Sequence, residues 1–183
     1  VIFSRTLKEH LEKLKQVLER LQVAGLKLKP SKCCVLQREV AFLGHVMTEE
    51  GIKTDPEKIR AVVEWPVPTC VREVRAFVGL ASYYRRFVKG FAEIATPLHE
   101  LTKKNARFSW RENHQIAFET LKQKLLEAPV LVAPDDEHEY ILDTDASDHA
   151  MGAVLSMVVD GEERPVAYAS RVFSRCEKNY CVT

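Results

Sequence analysis

The chain has 183 residues, 46% hydrophobic, with 27 Lys and Arg against 26 Asp and Glu. That is enough apolar content for one or two small domains with cores, and no apolar run approaches the ~20 residues that a bilayer-spanning helix needs. Five cysteines (Cys33, Cys34, Cys70, Cys176, Cys181) form no C-x-x-C pair, which argues against a disulfide framework or a zinc knuckle and fits a reducing compartment.

The near-neutral charge hides an asymmetry. Residues 1–134 carry 23 Lys and Arg against 15 Asp and Glu, whereas residues 135–183 carry 4 against 11. A basic part joined to an acidic part suits a chain that tracks phosphates with one surface and holds metal with another. It equally suits a linker falling between two differently charged surfaces. The opening Val1-Ile2-Phe3-Ser4 has no signal-peptide architecture and no initiator Met, so the chain reads as the interior of a longer one.

In chain order, Val1–Phe3 reads as the end of a strand. Thr6 with Glu9 forms a capping box. Leu7, Leu11, Leu14, Leu18 and Leu21 follow at helical spacing, ending at Gly25. This stripe predicts a helix packed on a sheet. Leu26–Leu28, Cys33–Leu36 and Val40–Met47 read as short strands, with a turn at Glu49-Glu50-Gly51. Asp55-Pro56 opens a second helix that Pro66 closes. Thr69 caps a third, carrying Val71, Val74, Phe77 and Val78 and continuing or bending near Gly79 into Ala81–Val88. Phe91–Leu101 is a further helical piece, interrupted by Pro97. Lys103-Lys104-Asn105 looks like a linker.

A helix starting at Ser109 or Trp110 carries Ile116, Phe118, Leu121, Leu125 and Leu126, and Ala128-Pro129 ends it. Strands then follow at Tyr140–Thr144, Gly152–Val159 and Pro165–Ser170, with Asp160-Gly161 as a hairpin turn. Another helix begins around Cys176–Tyr180. The chain thus reads as an α+β multidomain fragment: a β/α part, a helical unit, then an antiparallel three-strand meander opening a new domain. Three strands with an exposed face are marginal alone, which predicts weak order at that end.

Two features carry chemistry. Asp143 and Asp145 lie two apart on a strand and so share a face. Carboxylates held there need a partner, and a divalent metal is one. Asp148 fits a turn. An aspartic-protease loop is excluded by Asp145 where that loop has Gly. Arg72, Arg75, Arg85 and Arg86, with Tyr83 and Tyr84 between them, form the second feature. Arg binds phosphates bidentately and Tyr stacks on bases. At helical spacing one Tyr faces the core, and a solvated basic face is the plainer alternative. The six His show no zinc spacing, and the Ser residues have no nucleophile context.

Several segments, in order along the whole chain, closely resemble the pol polyprotein of gypsy-class LTR retrotransposons. They are Phe42-Leu43-Gly44-His45, Trp65-Pro66-x-Pro68, Phe77-Val78-Gly79-Leu80-Ala81-Ser82-Tyr83-Tyr84-Arg85-Arg86-Phe87 and Pro97–Thr102. Ala128–Leu131, Asp143-Thr144-Asp145-Ala146-Ser147, Gly152–Ser156 and Ala167–Arg171 continue the series.

The resemblance implies three parts. Residues 1–52 would be the end of a reverse transcriptase palm, with Phe42, Leu43, Gly44 and His45 as the primer grip. Residues 53–104 would be the helical thumb and connection. Residues 105–183 would be a connecting helix and the N-terminal half of a truncated RNase H-like domain. Asp145 would be the first-strand metal ligand, with Asp143 as a second candidate. Glu177 does not match the family's helix Glu, which falls at or beyond Thr183, and the polymerase's Tyr-x-Asp-Asp would lie upstream of Val1.

The parent would copy RNA into DNA and cleave the RNA strand of RNA–DNA hybrids, using Mg2+ or Mn2+. No tight metal binding and no activity are expected of the fragment itself. Its partners would be RNA–DNA hybrid, template-primer duplex and the remaining pol segments, with no membrane, in an intracellular particle or the nucleus. The alternative is a non-catalytic nucleic-acid-binding remnant or a domesticated interaction protein. Met157 stands where the family commonly has Gln, which weakens any assumption that this copy is held to activity.

Overall fold

A computed structural model describes residues 1–4, 6–104, 106–174 and 176–179. Thr6 caps helix α1 (Leu7–Val23), its hydroxyl accepting from the Glu9 N–H at 3.3 Å. The leucine stripe forms as predicted, but its packing does not. No α1 residue is buried, and Leu7 is 63% exposed. The sheet that would cover it is missing among the described residues. Val1–Phe3, Leu26–Leu28 and Cys33–Leu36 are not strands, and only a 3₁₀ turn at Pro30–Lys32 interrupts the irregular chain. Strand-like residues without a ladder partner do not hold strand structure.

Val40–Met47 is not one strand either. It folds back at Leu43-Gly44, whose φ values of +47° and +68° suit a two-residue hairpin turn matched to strand twist. The result is a meander of β1 (Val40–Phe42), β2 (His45–Thr48) and β3 (Gly51–Thr54). Ile52 and Leu131 exchange both backbone hydrogen bonds, at 2.7 and 2.9 Å, which ties this sheet to the connector beyond the helices.

The helical unit holds the core. Asp55 caps α2 (Pro56–Val63) through the Glu57 N–H at 3.0 Å. The cap of α3 (Val71–Tyr83) is Cys70, not Thr69. Thr69 instead donates its N–H and its hydroxyl to the Glu73 carboxylate at 2.7 and 3.0 Å, and these bonds hold that carboxyl below its ordinary range. The helix runs through Gly79 without a break. After a 3₁₀ turn at Arg85–Phe87, α4 (Phe91–Leu101) starts at Gly90, in left-handed geometry, and continues around Pro97.

Helix α5 (Glu112–Leu126) begins later than the sequence suggests, at Arg111 as cap. Phe118, Leu121 and Leu125 are buried, whereas Ile116 and Leu126 face outward. Val62, Val74, Phe77, Leu98, Phe118 and Leu121 meet in one core, with the Phe77 and Phe118 rings 4.5 Å apart. The predicted antiparallel meander follows as β4 (Tyr140–Ala146), β5 (Ala150–Val159) and β6 (Glu162–Val172), turning at Asp160-Gly161 with both φ values positive. This sheet does not stand alone. The Val132 N–H reaches the Pro165 carbonyl at 2.9 Å, and Tyr168 packs on the helical core.

Candidate metal corner and nucleic-acid face

Register places the two acids. Asp145 pairs with Gly152 and Gly152 with Ser170, while Asp143 pairs with Val154 and Val154 with Tyr168. Directly paired residues share a face, so Asp143 and Asp145 stand on the face that carries Ser170 and Tyr168. Gly152 has no side chain, and a methyl group added to it would meet nothing within 4 Å. The row therefore leaves a gap between Asp145 and Ser170. It opens into a cleft of about 230 Å³ that Lys89, Gly90 and Glu93 close from the helical unit.

Both carboxylates are exposed and offer the hard oxygen ligands that a divalent cation takes. Two acids on one strand fit as one corner of such a site. No group of three Asp, Glu, His or Cys positioned for a metal occurs among the described residues. Glu177 is engaged elsewhere. The Arg171 guanidinium, 2.6 Å away, and bonds from Ser174 hold its carboxyl down at about 2.

The turn Phe42-Leu43-Gly44-His45 sits against the end of α3. The Tyr83 hydroxyl donates to the Leu43 carbonyl, and the Tyr84 hydroxyl donates to the Gly44 carbonyl at 2.7 Å. Tyr84 is fully buried, and burial pushes its phenol up to about 12. Tyr83 is half-exposed. One tyrosine thus faces the core and one the surface, as helical spacing predicts. A Cβ on Gly44 would lie 3.3 Å from the Tyr83 ring, so the close partner that needs glycine here is within the chain. The His45 ring lies 5.2 to 5.6 Å from Tyr83, Tyr84 and Phe87, with Nδ1 2.9 Å from the Leu43 carbonyl. Phe42 and Leu43 remain exposed at the tip.

The four arginines separate. Arg72 and Arg75 are exposed on α3, and Arg75 donates to the Thr102 carbonyl at 3.0 Å. Arg85 and Arg86 turn to the second sheet, donating to the carbonyls of Ser170 at 2.6 Å and Val166 at 3.3 Å. Gly152 and Ser170 belong to segments that carry the resemblance, but nothing in the sequence places them beside Asp145 or marks the cleft wall at Lys89 and Glu93. All depend on strand register or on contacts across 50 or more residues, which carry no local signal.

Comparison with known proteins finds relatives along nearly the whole chain. Residues 110–183 match the family described as the RNase H-like domain found in reverse transcriptase. The chain is 42% identical over 181 residues to the retrovirus-related Pol polyprotein from transposon 297 of Drosophila melanogaster, covering 98% of this chain and 17% of that polyprotein. It is 36% identical over 184 residues to the transposon Tf2-3 polyprotein of Schizosaccharomyces pombe, covering all of this chain and 14% of that one. The chain therefore spans under a fifth of the length of these relatives. Among solved structures, a foamy viral protease-reverse transcriptase in complex with RNA/DNA hybrid matches 98% of this chain and 24% of its own, at 29% identity and a TM-score of 0.84. A foamy viral protease-reverse transcriptase dRH in complex with ds DNA matches at a TM-score of 0.86 and 29% identity, over 98% of this chain and 32% of its own.

Proposed function

We propose that this chain, a segment of a retroviral- or transposon-type Pol polyprotein with an RNase H-like domain from residue 110, is of the gypsy class and joins a polymerase to its ribonuclease H. Residues 1–52 close the palm, 53–104 form the thumb and connection, and 105–183 form a connecting helix and the first half of the RNase H-like domain. The parent performs RNA-directed DNA synthesis and cleaves the RNA strand of hybrids inside the cell, in a cytoplasmic particle or the nucleus.

The observation that carries this reading is Asp145, set on the first strand of an RNase H-like sheet beside a residue without a side chain. Asp145, with Asp143 next to it, would hold one side of a divalent metal pair, Mg2+ or Mn2+. When bound, such metals stabilise the attacking and leaving oxygens of phosphoryl transfer. What this chain itself contributes is a fixed, open carboxylate edge with room over Gly152 for a phosphate. On the polymerase side, the exposed Phe42-Leu43 tip and Tyr83, with Arg72 and Arg75 towards the other end of α3, would meet the template-primer duplex. The foamy viral relatives bound to dsDNA and to RNA/DNA hybrid support duplexes as the partner class.

In the intact polyprotein, Asp145→Asn is expected to reduce Mg2+-dependent cleavage of the RNA strand at least 100-fold and to leave primer extension standing. The 183-residue chain is expected to show no turnover. Equal cleavage by wild type and Asp145→Asn would remove the role given to this residue. A second reading, a non-catalytic nucleic-acid-binding piece, rests on the exposed Arg72 and Arg75 of α3, which offer guanidinium groups to phosphates.

A further inference from the structure

Four consecutive residues at the end of α3 hold two separate parts of the molecule. Tyr83 and Tyr84 bind the carbonyls of the Leu43-Gly44 turn, and Arg85 and Arg86 bind the Ser170 and Val166 carbonyls of β6. The divergence has a local cause. The helix tightens into a 3₁₀ turn after Tyr84, where each residue rotates the side-chain direction by about 120°. Phe87, buried in the same turn, stacks on His45 at 5.6 Å and 24°. Both attachments therefore spring from one short, packed piece of backbone.

The β6 attachment is directional. β6 ends the sheet order β4-β5-β6, so its outward carbonyls have no strand partner among the described residues and are open to other donors. A guanidinium offers several donors in a rigid plane. Arg86 Nε is buried without a partner among the described residues, so this side chain lies inside the joint and not on a solvated face. Ser170 is held twice, since its hydroxyl also accepts the Ala92 N–H of α4 at 2.9 Å. Ser170 shares its row with Gly152 and Asp145. Fixing Ser170 fixes the strand row that carries the acid.

We propose that Tyr83–Arg86 is a rigid coupler, with Arg85 and Arg86 acting as positioning residues that set Asp145 at one distance from the Phe42–His45 turn. The functional meaning rests on the preceding reading. There, this distance is the separation along the hybrid between the primer end and the RNA cut.

Two measurements test it. Amide hydrogen exchange on the 183-residue chain reads the joint without reference to activity. In Arg85→Ala/Arg86→Ala the Ala92 amide is expected to exchange at least tenfold faster, with the α5 core amide of Leu121 unchanged. Arg85→Lys, a milder variant that keeps the charge, is expected to show a smaller change in the same direction. Unchanged exchange at Ala92 in both variants overturns the coupler. Equal acceleration at Ala92 and Leu121 in both also overturns it, because the arginines would then serve the fold as a whole.

In the intact polyprotein, the positions of RNA cuts relative to the primer 3′ end are mapped on a labelled hybrid. Wild type is expected to cut within a narrow window, and the double variant over a window at least twice as wide. A window of unchanged width beside a faster-exchanging Ala92 overturns the positioning role. Absence of any cleavage by the wild-type polyprotein counts against the proposed function, and the Ala92 result then decides the joint by itself.

Discussion

Gly51 and His114 show how far single residues depend on distant ones. Gly51 opens β3 at φ +139°, and a methyl group there would run into the Leu131 carbonyl oxygen. Gly51→Ala is therefore expected to cost about 3 kcal/mol or more, from backbone strain and overpacking together, measured by urea unfolding. A cost below about 1 kcal/mol would mean that the Ile52–Leu131 bridge yields easily. His114 is buried, and its Nδ1 accepts the Arg111 N–H at 2.9 Å in the cap of α5. Burial first, then the Arg111 charge, lowers its pKa below the ordinary 6.5. A depressed folded-state pKa means that the unfolded chain binds the proton more readily. Stability is thus full above pH 6.5 and falls as the pH drops below it. The fall in Tm between pH 7.5 and 5.5 is expected to shrink in His114→Gln; an identical fall would place the effect elsewhere, with His99, also lowered by burial, the next residue to replace.

Among the elements, α1 and α5 make an informative contrast. Both were read from apolar spacing, yet α1 exposes its stripe and α5 buries Phe118, Leu121 and Leu125. Periodicity specifies that a helix has an apolar face; it does not supply the surface that face needs. Leu121→Ala is expected to cost about 2–5 kcal/mol through lost burial and a residual cavity. Leu11→Ala, at an exposed position, is expected to stay within about 0.5 kcal/mol. Chemical denaturation of both variants checks the pair, and a large cost at Leu11 would reveal a partner surface for α1 in solution. The same contrast explains the strands. Val40–Met47 looks continuous in sequence because Leu43, a residue that rarely enters left-handed geometry, occupies the turn.

For the whole molecule, under the proposed function, the excess of Lys and Arg over residues 1–134 implies that nucleic-acid binding is governed by salt. The affinity for an RNA–DNA hybrid is expected to fall linearly with salt on a log–log plot, by roughly 0.7 to 0.9 per phosphate contact. Arg72→Ala is expected to lower that slope by about one and to weaken binding alike across sequences. Salt-independent binding in fluorescence titrations would count against a phosphate-tracking surface. The same view at this scale explains why the arginines part company. Arg72 and Arg75 stay on a helix surface, whereas Arg85 and Arg86 sit past the helix end, where the second sheet lies within reach.

Much was legible beforehand. The capping residues, helix spacings and the Asp160-Gly161 turn are local codes, and they marked most helices and the second meander. Asp143 and Asp145 were legible as a pair because alternation along a strand is also local. Tertiary structure alone decided what depends on distant chain. It left α1 uncovered, gave the Leu43-Gly44 turn its tyrosine partners, and brought the Arg85 and Arg86 guanidinium groups onto the carbonyls of a sheet edge. It also set Asp145 in a row with Gly152 and Ser170. Local sequence fixes backbone geometry over a few residues, but the neighbour of a side chain is chosen by packing across the whole chain.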